Sequence, residues 1–510
     1  MDILFVLSAV FEPMNLMAIV VGVIAGICIG GLPGLTANLG VALLLPVTFS
    51  LDVTAALLML ISLYTAAIYG GCFASILLRA PGTSASAATA IDGYEMTKQG
   101  RFNEAIRVAT FGSVFGGVVS GISLLVLAPP LSLLSLRFGP AEYFMLAIFG
   151  LTIIGTLASG NVVKGLIAGA FGLLISIIGL DLHSGFPRFT FGVSELASGL
   201  DFVPVVIGLF SVSQALLMCE DVHKSIDRSS NISAKKWRYF PKWAEIREIR
   251  TTVMRSSVIG VIVGILPGAG GDIGSWVSYN EARRFSRDKS QFGKGSAVGV
   301  AASETANNAV TGSSLVPLLT LGVPGSATAA ILLGALIIHG LVPGRALFTV
   351  HANITYTVIV GFILANLLMG VVGMILAKRM ALVARVPKTV IVPVILVLSI
   401  VGSYSIGNNI FDVYTMLFFG VFGYFMRKTG FSPAPLILGL ILGPIAENAF
   451  RQSMVLAPSN VFFYILNSKI ALALLVLTVI SIISAVRMEM TRVKVQRSYL
   501  GSKKDKDPDA

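Results

Sequence analysis

Uncharged apolar runs recur along the chain at lengths that approach or reach a membrane crossing. Residues 16–32 and 470–486 hold no charged side chain, and a spanning helix needs about 20 apolar residues. Further apolar stretches lie near 53–78, 106–128, 143–180, 202–219, 256–266, 296–342, 352–377, 389–402, 411–426 and 433–446. Counted with the longest runs as hairpins, they give roughly ten to twelve crossings. Two runs are cut by the same signal: "GLPGLTAN" at 31–38 and "ILPGAGGD" at 265–272. Proline removes a backbone donor and glycine loosens the chain, so each break weakens a helix in lipid. Such breaks are tolerated where protein or a water-filled cavity satisfies the freed backbone.

The breaks repeat in order. Pro33 and Pro267 stand 234 positions apart (267 less 33), each inside Leu-Pro-Gly. "APGTSASAATA" at 80–90 is echoed by "VPGSATAAILL" at 323–333, with Pro81 and Pro324 separated by 243. Gly100-Arg101 answers Gly344-Arg345 at a separation of 244. This order predicts two membrane repeats, 1–219 and 256–490, joined by a polar cytoplasmic linker at 220–255 and followed by a basic tail at 491–510. Loop charge predicts that the repeats are inverted. The 49–52 connection has no basic residue and its counterpart 281–294 is rich in Arg and Lys, whereas 95–107 is basic and 338–352 carries one Arg and two His. Basic loops favour the cytoplasm. The basic linker and tail also favour that side, which requires an even number of crossings between them; re-entrant segments reconcile the two demands.

Composition sharpens the class. Of 510 residues, 55% are hydrophobic and 12% charged, against about 25% charged in soluble proteins, and the mean hydropathy is +0.87. The chain reads as an all-α polytopic membrane protein with broken or re-entrant segments. Its net charge of +12 sits in loops, so positive-inside bias accounts for it and no nucleic-acid partner is implied. Cys28, Cys72 and Cys219 show no metal spacing and the four histidines form no ligand pair. The opening "MDILFVLSAVFEPMN" lacks a basic stretch and reads as a first membrane segment rather than a signal peptide.

Each break is followed by helix-starting residues. Thr83 and Ser84 follow Pro81-Gly82, and Ser326 follows Pro324-Gly325; Thr36 and Asn38 follow Pro33-Gly34, and Gly270, Gly271 and Asp272 follow Gly268. Ser and Thr cap helices, and a helix N-terminus offers free N–H groups to an anion. Taken singly, such residues equally serve close helix packing or bond back to their own helix. Four matching breaks, two per repeat, mark a midplane binding site. In "ASETANNAVTGSS" (302–314), Glu304 lies in a run otherwise free of charge and shares one helical face with Asn307, Asn308 and Thr311. With Asp272, these oxygens suit Na⁺ as coupling residues, or Glu304 alone carries a proton; the alternative is an interhelical hydrogen-bonding face. Glu447 and Arg451 read as a local ion pair, and Asp181, Asp201 and Asp412 fall at segment edges where water is expected.

Enzyme readings fare poorly. No His-Glu-x-x-His occurs, and "AGGD" at 269–272 misses the first glycine of the aspartyl-protease motif and lacks a second aspartate. A channel would show rings of charge or a repeated filter. The paired "GLPG" and "ILPG", "APGTSASAATAIDGY" and "GVAASETANNAVTGSSLVPLLTLGVPGSATAAILLGAL" together resemble the large membrane subunit of the bacterial tripartite tricarboxylate transporters. The similarity runs over nearly the whole chain apart from the linker and last twenty residues. It implies a secondary transporter of the bacterial inner membrane that imports citrate or another organic di- or tricarboxylate on a Na⁺ or H⁺ gradient. It also implies a small membrane subunit of about four helices and a periplasmic solute-binding protein as partners. No cofactor beyond a coupling Na⁺ is implied.

Overall fold

The computed structural model describes residues 3–80, 82–134, 137–157, 162–181, 184–220, 237–266, 270–383 and 386–483. In the first half the helices are α1 (Ile3–Val10), α2 (Pro13–Gly31), α3 (Ala37–Leu44), α4 (Val53–Leu78), α5 (Ala87–Lys98), α6 (Phe102–Leu134), α7 (Pro140–Leu157) and α8 (Val162–Ser176). A short hairpin, β1 (Gly179–Leu180) with β2 (Pro187–Arg188), precedes α9 (Phe202–Val206) and α10 (Ser213–Glu220), which a π-helical segment joins into one span. The second half comprises α11 (Trp243–Ile265), α12 (Gly270–Phe285), α13 (Ala297–Ser313), α14 (Leu315–Leu321), α15 (Ala327–Ile338), α16 (Arg345–Thr349), α17 (Ala352–Val383), α18 (Lys388–Gly407), α19 (Ile410–Lys428), α20 (Pro433–Leu456) and α21 (Val461–Asn467).

Among the described residues, eight helices are long and apolar enough to cross a membrane, and one further bent pair makes nine. The breaks account for much of the difference from the crossings counted in sequence. They leave α15 and the region of α3 as short apolar helices, while α11 and the α13–α14 pair carry more polar residues than a lipid-facing span.

The repeated signals build repeated geometry. The helix before each Leu-Pro-Gly ends on an extended leucine, Leu32 (φ −88°, ψ 120°) and Leu266 (φ −74°, ψ 114°). The helix before each second break ends in the left-handed region, at Arg79 (φ 55°) and at its counterpart in the second half, Gly322 (φ 71°). Glycine adopts that conformation freely and arginine does not, so Arg79 is held there by its surroundings.

Glycines set the spacing of the broken helices. A Cβ on Gly22, Gly26 or Gly30 of α2 would stand 2.4, 2.5 or 2.0 Å from a carbonyl oxygen of α4. In the second half, Gly260 of α11 meets the Ala306 carbonyl of α13 at 2.5 Å in the same sense. Small residues at four-residue spacing let backbones approach this closely. Gly82 in turn fits against the Gly30 carbonyl and Gly325 against that of Gly264, so each second break seats on the end of its own first-break helix. The long helix of each half crosses over: α6 packs on α11 and α13, and α17 packs on α2 and α4.

Loop contacts match an inverted arrangement. On one side Asp92 Oδ1 accepts N–H bonds from Gly293, Gly295 and Ser296, and Gln99 donates to the Lys294 carbonyl, joining the 95–101 and 291–296 loops. Thr48 and His339 are 3.0 Å apart, so the 45–50 and 338–342 loops meet each other instead.

By contacts the chain divides into two compact units that do not follow the repeat boundaries. Residues 1–137 and 201–424 form the first, and 138–200 with 425–510 the second. Within the second unit α20 packs on α7 and α8, and a charge network joins Arg188, Asp181, Glu447 and Arg451. Glu447 and Arg451 do pair, at 2.7 Å. The expectation that Asp181 and Asp412 meet water is wrong: both are 6% exposed, Asp181 against Arg451 and Asp412 beneath Gly407. Asp201 is exposed.

Candidate functional site

All the described candidate residues lie in the first unit. Thr36 Oγ1 caps α3 by accepting from Leu39 N, and Ser326 Oγ caps α15 by accepting from Ala329 N at 3.1 Å. Thr83 and Ser86 form a reciprocal capping pair ahead of α5. The fourth N-terminus, that of α12, begins at Gly270 with a positive φ of 64°. Pro81, Pro267 and Gly268 lie outside the described residues.

Side-chain hydrogen bonds pair the four tips across the halves. Thr328 of α15 donates to Asn38 Oδ1 at the start of α3. Ser84, beside α5, donates to Asp272 Oδ1 of α12 at 2.9 Å. Pro33 and Asn38 are half-buried and Gly34 is exposed, whereas Gly82, Thr83, Pro324, Gly325 and Ser326 are buried. The two tips differ in charge, since Asp272 brings a carboxylate where Asn38 brings an amide.

Each tip is overlooked by a side chain from the helix behind it. Tyr64 Oη lies 3.2 Å from Ser326 Oγ and 3.4 Å from Ser314 Oγ. At the other tip, a Cβ on Gly271 would come within 2.6 Å of Asn307 Oδ1. Asn307 is 1% exposed, and neither atom of its amide has a hydrogen-bond partner. A buried amide left unpaired costs about 1–3 kcal/mol, which a ligand or ordered water at the tip would relieve. Tyr64 and Asn307 are separated by the same interval as Pro81 and Pro324. The repeat spacing that relates the second breaks therefore also points to Tyr64, which motif reading missed.

Glu304 is fully buried, with Oε1 accepting from Thr89 at 2.5 Å and Oε2 from Ser113 at 3.1 Å. Thr89 and Ser113 come from α5 and α6, and nothing in their local sequence marks them. Asn308 shares that neighbourhood, donating to the Ser113 carbonyl at 3.3 Å, with its own Oδ1 unpartnered. Thr311 donates to the Asn308 carbonyl and lies 3.5 Å from Thr65, which donates to Asn366 at 2.8 Å. The face read from sequence therefore divides. Glu304 and Asn308 meet at Ser113, Asn307 and Asp272 belong to the α12 tip, and Thr311 reaches α4, whose Thr65 goes on to α17.

A family model described as the tripartite tricarboxylate transporter TctA family matches residues 16–438, a span that holds every break and all the residues above. The chain belongs to that family. Among curated proteins it is 36% identical over 504 residues to an uncharacterized 52.8 kDa protein in the TAR-I ttuC' 3' region of Agrobacterium vitis, covering 97% of this chain and 99% of that one. It is 33% identical over 240 residues to an uncharacterized protein in the TAR-II ttuC' 3' region of the same organism, covering 46% of this chain and 99% of the relative. As a TctA-family chain it is a multi-pass membrane subunit of a tripartite tricarboxylate transporter. The paired tips and the buried carboxylate thus belong to a transport protein, and the Leu-Pro-Gly breaks open helix N-termini among its membrane helices.

Proposed function

We propose that this subunit imports an organic di- or tricarboxylate of the citrate type across the bacterial inner membrane, driven by a Na⁺ or H⁺ gradient. In this reading a periplasmic solute-binding protein delivers the anion, and a small membrane subunit of about four helices completes the complex. The observation that carries it is the cross-half pairing of broken-helix tips, Asn38 with Thr328 and Ser84 with Asp272, with the unpartnered amide of Asn307 at the second of them.

The charges divide the work. The α3 and α15 tips present N–H groups, hydroxyls and amides without a carboxylate, and accept an anionic carboxylate on favourable dipole ends. The α12 tip carries Asp272, which repels an anion and attracts a cation. Asp272 and Asn307 there, with Glu304, Asn308 and Thr311 deeper in α13, are the coupling residues of this reading. Recognition by N–H groups and hydroxyls rather than by buried arginines keeps binding weak enough for release on the far side.

The test is uptake of labelled citrate and of shorter dicarboxylates into proteoliposomes holding the assembled complex. Na⁺ and pH gradients are imposed separately, with and without the binding protein. Uptake that follows one gradient and needs the binding protein supports the reading; accumulation indifferent to both gradients contradicts it.

A further inference from the structure

A second site lies away from the broken helices, where α6, α17 and the end of the linker meet. A cavity of about 510 Å³ opens there, within the range of ligand-sized pockets (about 300–1,000 Å³). Its walls are apolar: Phe111 and Val114 from α6, and Leu367, Val371, Met374 and Ile375 from α17. The linker closes the third side with Tyr239, Phe240 and Pro241. That segment is fastened in place. Asn103 at the start of α6 exchanges two hydrogen bonds with the Arg238 backbone, and Phe102 packs on Trp237 with ring centroids 6.0 Å apart.

Basic residues adjoin the lining along the chain: Arg238 and Lys242 flank Tyr239–Pro241, and Lys378 and Arg379 follow Ile375 on α17. Lys378 Nζ sits 5.5 Å from the Trp237 ring, and Arg238, Lys242, Lys378 and Arg379 are all exposed. Arg107, which also lines the cavity, is paired with Glu245 of α11 at 2.5 Å. Glu248 lies one helical turn further along α11, beside Arg247 and Arg250. Phe240 and Trp243 are 81% and 79% exposed, in the manner of aromatic residues at a membrane–water boundary.

We propose that this cavity binds one anionic phospholipid of the leaflet that faces the basic loops. An acyl chain lies along α6 and α17 under Tyr239 and Phe240, and the phosphate is held by Arg238, Lys242 and Lys378. The apolar wall alone would admit any lipid tail. The cluster of cations adjoining it selects the headgroup, as basic pockets between membrane helices do. The site ties the linker between the two halves to the charge of the bilayer, and it does not depend on which substrate is carried.

Trp237 and Trp243 are two of the three tryptophans in the chain, which gives a direct probe. The full-length Trp276→Phe protein is reconstituted in phosphatidylcholine vesicles containing, at equal mole fraction, brominated phosphatidylglycerol or brominated phosphatidylcholine. The expected result is quenching by the anionic lipid with an apparent affinity on the order of tenfold higher, and loss of roughly fivefold of that preference in Lys242→Gln or Lys378→Gln. Unchanged quenching by brominated phosphatidylcholine in those variants shows that the fold is retained. Equal quenching by the two lipids, or by neither because a protein partner fills the cavity, overturns the proposal.

Discussion

Asn38 and Asp272 stand at the same place in the two halves, at the separation of the two Leu-Pro-Gly prolines, and each accepts a hydroxyl hydrogen bond from the second break of the opposite half. Thr328 serves Asn38 and Ser84 serves Asp272. A duplicated unit packed head to head produces this exchange, because a break that met only its own half would build two separate sites. The amide-for-carboxylate difference at this one position makes a nearly symmetric frame chemically asymmetric. An anion and a cation can then be held at related tips of one scaffold.

The inverted arrangement has an expected labelling pattern. In protein lacking Cys28, Cys72 and Cys219, cysteines at Ser50 and Val342 should react together with an impermeant reagent outside whole cells. Cysteines at Lys98 and Ser290 should be shielded together. Reaction of Ser50→Cys and Ser290→Cys from the same side would contradict the inverted arrangement that the Thr48–His339 and Gln99–Lys294 contacts match.

Close helix approach should make Gly30 intolerant of any side chain. Its Cβ would stand 2.0 Å from the Ala67 carbonyl, and a rigid backbone cannot yield as a side-chain end can. Gly30→Ala should cost about 1–3 kcal/mol or more and lower the yield of folded protein. Gly169→Ala, whose Cβ would keep 3.8 Å from its nearest neighbour, should be tolerated. Equal thermal stability of the two variants in detergent would contradict the packing described.

Arg107 and Glu245 clamp the linker to α6, and acid should release it. Burial pushes the Glu245 carboxyl up, but the hydrogen bonds from Arg107 and the Lys242 N–H and the arginine charge outweigh it, leaving it below its ordinary 4.5. A carboxyl lowered in the folded state adds stability above its unfolded value, and that stability is lost as pH falls through the folded one. Proteolysis of the linker should therefore rise below about pH 4, the ordinary carboxylate range. Arg107→Ala should show the same rise at neutral pH. Cutting that is independent of pH in both proteins would remove the clamp.

Much of this frame is legible in the sequence, for physical reasons that can be named. Pro-Gly breaks a helix wherever it falls, so the two Leu-Pro-Gly breaks, the Ala-Pro-Gly and Val-Pro-Gly breaks, and their order can be read directly. Loop charge follows from insertion energetics, so the pairing of loops can be read too. What surrounds α13 cannot. Residues sharing one helical face meet one environment only when the helix has a single buried side, and α13 is buried at every position but Val298. Glu304 thus turns to Thr89 and Ser113 while Asn307, on the next turn, faces Gly271. Asp181 misleads for a related reason: Arg451, far along the chain, supplies the charge that lets it be buried.

Glu304→Gln should separate coupling from binding. One of the Thr89 and Ser113 hydroxyls can still donate to the amide oxygen while the other accepts from the amide NH2, so the fold should persist while charge on the site is lost. Ion-driven accumulation in proteoliposomes should fall at least about tenfold, a loss of about 1.4 kcal/mol, with carboxylate binding to the purified complex partly kept. Unaltered dependence on the Na⁺ and pH gradients would leave Glu304 a structural residue.

The central claim is that the neutral α3–α15 tip takes the substrate carboxylate and the acidic α12 tip takes the cation. Exchanging the charges tests it most directly, by measuring carboxylate uptake against substrate and Na⁺ concentration in Asn38→Asp and in Asp272→Asn. Asn38→Asp places an anion beside the proposed anion site, and it should raise the half-saturating substrate concentration at least about tenfold, with the Na⁺ dependence unchanged. Asp272→Asn should weaken the Na⁺ or pH dependence with substrate affinity largely retained. Well-expressed Asn38→Asp protein with wild-type substrate affinity would contradict the assignment of the tips.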